Sequence, residues 1–134
     1  MTTPTRAQGL QRLTQLANLL DFAALIYKDE NNYEQGYNQT TFAHDCGTPA
    51  CALGHWAAAR QNRWKENISY PRLRDYPAET GHSTSMDHAQ YEFAITQREA
   101  TELFERYGCE AAKSAGEAAR YIRNFVARAK KEAT

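Results

Sequence analysis

Residues 5–29 read TRAQGLQRLTQLANLLDFAALIYKD. Leu10, Leu13, Ala17, Leu20, Ala24 and Tyr27 recur at steps of three and four, the period that places side chains on one face of a helix. Leu16, Ala23 and Ile26 widen that stripe. Thr5, or Thr3 ahead of Pro4, supplies a cap for the start. A broad apolar face on a helix of this length needs partners to cover it, and the rest of the chain is read for them.

Four further helical segments follow. Thr48 caps and Pro49 opens a second helix that runs on to Asn62, because proline at the first helical position loses no hydrogen bond. Gly54, inside that helix, marks a close approach of another backbone. A short helix spans 86–94, with Ala89, Tyr91 and Phe93 as its apolar contacts. Thr96 with Glu99 has the spacing of a capping box, and the helix it starts turns Ala100, Leu103, Phe104 and Tyr107 inward until Gly108 stops it. Ser114 with Glu117 repeats the box. The last helix, to about Lys131, buries Ala115, Ala118, Ile122, Phe125, Val126 and Ala129 and points Arg120, Arg123, Arg128 and Lys130 outward. Residues 30–44 form an irregular connection pinned by Tyr33, Tyr37 and Phe42. Residues 64–84 form a long irregular loop, broken by Pro71, Pro77 and Gly81 and anchored by Trp64, Ile68, Tyr70, Leu73 and Tyr76. The expected fold is all-α: one domain over residues 1–134, with about five helices and that loop.

The 134 residues suffice for one core. No apolar run approaches the roughly 18–20 residues of a membrane span, and the N-terminus lacks the apolar core of a secretory signal. A cytoplasmic protein that does not enter membranes is expected. Three cysteines, an odd count, argue against a disulfide framework. Charge is balanced, 16 basic against 16 acidic, but it comes in blocks. Residues 60–74 carry a net +4, residues 75–110 a net −6 and residues 113–131 a net +5. Such blocks describe solvated faces that attract one another within a domain. A dedicated nucleic-acid binder would be basic overall, so nucleic acid is the alternative partner and another protein the main one.

Residues 44–55, HDCGTPACALGH, hold the residue types of chemistry. His44, Cys46, Cys51 and His55 are zinc-type ligands, but their H-x-C-x4-C-x3-H spacing is not a common zinc pattern. Cys46 or Cys51 near a helix start, with His55 or His44 as base, is the thiol alternative. A histidine one turn along the same helix is a poor partner for it, and His82 and His88 would be the bases from a separate element. A Cys46–Cys51 disulfide is disfavoured in a reducing compartment. The structural reading comes first: Gly47 turns the chain, Thr48 and Pro49 start the helix, Cys46 and Cys51 fill small spaces, and His55 sits hydrogen-bonded at the core edge. His82 and His88 are read as surface groups and Cys109 as a packed residue. No bound metal or cofactor is expected.

The order of features resembles a family of small uncharacterised bacterial and phage proteins. They share a Cys-Gly-Thr-x-x-Cys-x-x-Gly-[His/Trp]-Ala core, here carried by Cys46, Gly47, Thr48, Cys51, Gly54, His55 and Ala57, with Trp56 between. Later elements match at Phe93, Ile95 and Thr96, then Leu103 and Phe104, then Ile122, Arg123, Phe125 and Val126. The chain departs where the family's usual glycine is Ala94, and the loop at 64–84 has no close match. The resemblance implies an architecture and, through the phage members, a role in host takeover or anti-defence such as inhibition of a CRISPR complex.

The expected function is therefore a non-catalytic interaction protein. Its acidic stretch from Glu92 to Glu110, with Glu99, Glu102 and Glu105 central, would meet a basic partner surface. Arg120, Arg123 and Arg128, together with Lys130 and Lys131, form the basic face that a nucleic acid would use instead. An enzyme centred on Cys46, Cys51 and His55 is the third reading.

Overall fold

A computed structural model describes residues 4–26, 51–65, 72–74, 76, 85–104 and 114–132. In chain order these form α1 (Arg6–Ile26), α2 (Ala52–Ala59), β1 (Trp64–Lys65), β2 (Arg72–Leu73), α3 (Ser85–Phe93), α4 (Gln97–Phe104) and α5 (Ala115–Glu132). The fold is all-α. Within the segment read as irregular, β1 and β2 pair antiparallel as a minimal ribbon, Trp64 opposite Leu73 and Lys65 opposite Arg72.

The first and last helices carry the frame. α1 packs most extensively on α5, and also against α3 and α2. Leu10, Leu13, Leu16, Ala17 and Leu20 are buried on α1, and Ala115, Ala118, Ala119, Ile122, Phe125, Val126 and Ala129 on α5. All share one apolar cluster with Leu53, Trp56, Ala57, Trp64, Phe93, Leu103 and Phe104. Two large apolar residues of α1, Phe22 and Leu25, remain exposed.

The helix starts follow local chemistry. Thr5 caps α1: its Oγ1 accepts from Gln8 N at 3.1 Å while Gln8 Oε1 accepts from Thr5 N at 2.9 Å. Thr96 and Glu99 exchange the same pair of bonds ahead of α4, at 3.2 and 2.9 Å. Ser114 Oγ accepts from Glu117 N at 3.1 Å ahead of α5. The start of α2 differs from expectation. Its N-cap is Cys51, extended at φ −97° and ψ 175°, whose sulfur accepts from Gly54 N at 3.4 Å. The helix thus begins at Ala52 and ends at Ala59, shorter than the 49–62 read from the sequence. The Thr-Pro pair made an equally good local start, and Thr48 and Pro49 lie outside the described residues.

α3 and α4 are joined by a tight turn. Ile95 N donates to Gln90 O at 3.1 Å and Ala94 N to Tyr91 O at 3.3 Å, the two bonds of a Schellman helix end. That motif needs a left-handed residue, and Ala94 has φ 50°. Gly9 of α1 packs onto the turn so closely that a Cβ there would lie 1.8 Å from Phe93 O.

Candidate functional site

The most concentrated polar chemistry surrounds Glu92, on the buried side of α3. Its side chain has no solvent exposure. Oε1 accepts from Arg12 at 2.8 Å and from Arg63 at 2.6 Å. Oε2 accepts from Trp56 Nε1 at 3.1 Å and Trp64 Nε1 at 2.6 Å. Each oxygen thus takes two donors, which fills its acceptor capacity. Arg12 also donates to the Glu92 carbonyl at 2.9 Å. The donors come from α1, α2, β1 and the turn before β1, so this one carboxylate ties together four parts of the chain. Glu92 is read above as the start of an exposed acidic docking stretch, and the structure corrects that. Its burial follows from its register: His88, Ala89, Glu92 and Phe93 share the inward side of α3.

His88 is likewise buried, not a surface group. Only 3% of it is exposed, and its Nδ1 accepts from Leu73 N at 2.8 Å. Tyr76 stacks on its ring at 4.0 Å and meets Tyr91 edge-on at 5.7 Å. Burial, then the nearby Asp87 charge, pushes the Tyr76 hydroxyl pKa up.

Of the candidate chemical motif, Cys51 and His55 are described, and both are buried. His55 Nδ1 lies 2.8 Å from the Cys51 carbonyl oxygen, so the two residues meet through the backbone oxygen. Trp56, next along, packs against Phe93 with ring centroids 5.3 Å apart. His44, Cys46, His82 and Cys109 lie outside the described residues. Among the described residues no three His, Cys, Asp or Glu side chains come close enough to hold a metal ion.

The expected binding residues divide into two groups. Glu99 takes both guanidinium nitrogens of Arg6, at 2.9 and 2.8 Å, while it caps α4. The Arg6 hydrogen bond holds its carboxyl below the ordinary carboxylate range, against a smaller opposing effect of burial. Glu102 of α4 pairs with Arg128 of α5 at 2.7 Å, which raises the Arg128 pKa. Arg123 turns away from them to α1, bonding Asp21 at 2.5 Å and Asn18 at 2.9 Å. Arg120 is exposed beside the Tyr121 ring. Glu105 lies outside the described residues. Tyr121 OH donates to Glu117 at 2.6 Å, which pushes the Tyr121 pKa up.

Glu99, Glu102 and Arg128 therefore meet in one place. Two adjoining depressions, of about 310 and about 350 Å³, run between α4 and α5. The first is lined by Glu102, Leu103, Tyr121, Asn124 and Arg128. The second adds Arg98, Glu99, Phe125 and Glu132. Both share the Glu102–Arg128 pair as their common wall. The sequence separates those two residues by 26 positions, so only the helix pairing brings them together. Glu92 has one signal in the sequence: each of the two tryptophans needs a buried acceptor for its indole N–H.

What the fold and these surfaces define is an all-α helical protein with a saturated polar core and a charged α4–α5 face. Family profiles, curated proteins and solved structures yield no match to the chain. Among the described residues no helix is long and apolar enough to cross a membrane.

Proposed function

We propose that the protein is a non-catalytic binding module of the cytoplasm that docks another protein on its α4–α5 face. The observation that carries this reading is the pair of adjoining depressions walled by Glu102 and Arg128. Their side chains are 30% and 60% exposed, so the pair contributes little to stability. A partner can exchange its own charged groups for either member at small cost. Burial points the same way for the core: the four donors on Glu92 serve packing, with no solvent reaching the carboxylate. The resemblance of the Cys46–Ala57 motif to small bacterial and phage proteins supports a partner within a defence complex, with inhibition as the outcome.

The side-chain bonds of Glu99 decide which variants test this. Reversing Glu99 would remove one bond of the α4 capping box and break the Arg6 pair. Glu102→Arg and Arg128→Glu, made singly, alter the shared wall and leave that cap intact. Affinity capture in the native host with mass spectrometry should recover a protein with the wild type and lose it with each variant. Both variants should melt within about 3 °C of the wild type. Retained capture by both folded variants, or recovery of nucleic acid in place of protein, overturns the proposal.

A further inference from the structure

The two buried histidines make chemically opposite bonds. His55 Nδ1 faces the Cys51 carbonyl oxygen at 2.8 Å. A carbonyl can only accept, so this nitrogen carries a proton, and the bond survives a second proton on the ring. His88 Nδ1 faces the amide of Leu73 at 2.8 Å. An amide N–H can only donate, so this nitrogen is bare and the ring is neutral. The bond lies inside the fold, with His88 3% and Leu73 7% exposed. Tyr76 covers one face of the ring at 4.0 Å, and the Trp64 ring lies 6.4 Å away. Trp64 of β1 is fixed to α3 through Glu92, whereas the β2 amide of Leu73 is held on α3 by an acceptor of the side-chain type that titrates near physiological pH.

We propose that His88 is a proton-sensitive latch for β2. The neutral ring holds β2 and Tyr76 against α3. A proton taken from solvent at Nδ1 removes the acceptor and sets two N–H groups face to face, and β2 leaves α3. The charged and titratable groups on the elements around His88 include Asp87, Tyr91 and Glu92 on α3, Arg12 on α1, and Arg63, Lys65, Arg72, Arg74 and Tyr76 on the ribbon side. Arg12 and Arg63 are engaged by Glu92, and Arg74 reaches the Gln61 carbonyl at 3.0 Å. Asp87 lies within electrostatic reach of Tyr76, which stacks on the His88 ring. His55 does not share this response, because its bonded nitrogen already donates.

The latch is independent of the α4–α5 docking surface and is tested on the isolated full chain. Amide hydrogen exchange is followed by NMR at about pH 7.5 and about pH 5, corrected for the intrinsic pH dependence of exchange. The protection of the Leu73 amide should fall about tenfold or more on acidification, while Ile122 in α5 keeps its own. In His88→Asn the side-chain oxygen takes the place of Nδ1 without titrating, so Leu73 protection should be equal at both pH values. As a check that needs no variant, the wild-type Leu73 amide and His88 ring resonances should titrate with one midpoint. Unchanged Leu73 protection in the wild type, equal loss in His88→Asn, or two separate midpoints overturns the latch.

Discussion

Glu92 shows how one side chain can be decisive without being reactive. A carboxylate without solvent is costly unless each lone pair finds a donor, and here two indoles and two guanidiniums supply them. Removing it strands all four donors at once. Glu92→Ala should destabilise the fold by about 3–5 kcal/mol, measured by urea denaturation with tryptophan fluorescence. A loss under about 1 kcal/mol would show that the donors find water instead. Glu92→Gln should also destabilise, since its amide NH2 points donors at donors. The acid itself is plain in the sequence, whereas its burial is not. Glu92 sits in a run of net negative charge, and charge density marks such a run as surface. The helical register of α3 overrides that average.

At the scale of elements, the turn between α3 and α4 holds the only positive φ among the described non-glycine residues, at Ala94. An L-residue there is strained, so Ala94→Gly should raise stability by about 0.5–1 kcal/mol in thermal melts. Gly9→Ala should act in the opposite sense. The added Cβ meets backbone, Phe93 O at 1.8 Å and Phe93 C at 2.4 Å, so α1 itself must move away. A loss of at least about 1–3 kcal/mol is expected, and a neutral result would mean that α1 and α3 can slide apart freely. Gly9 lies within the first helix, where the sequence shows only a weak helix former. The Cβ clash that explains it comes from a residue 84 positions away in the chain. The cap at Thr96, by contrast, is legible because its partners lie three residues apart, while the structure selects Thr5 from the two caps open to α1.

At the scale of the molecule, Arg6 fastens the first turn of α1 to the first turn of α4 through Glu99, and reaches the Ala94 carbonyl at 3.1 Å. The Glu99 carboxyl is held below its ordinary value, chiefly by that Arg6 bond. Its contribution is therefore complete above the ordinary carboxylate range and is lost as pH falls through the lowered folded value. Urea midpoints should fall more steeply between about pH 5 and about pH 3 in the wild type than in Glu99→Gln, and equal slopes would remove the linkage. The sequence by itself determined the helical class, the inward faces of α1 and α5, the capping box ahead of α4 and the Ser114 cap ahead of α5. Those features rest on periodicity and on contacts within one turn. Only the tertiary structure decided that Glu92 and His88 are buried, that Gly9 meets the end of α3, and that Glu102 and Arg128 wall one groove. Each of these depends on which helix faces come together, and a local pattern carries no such distance.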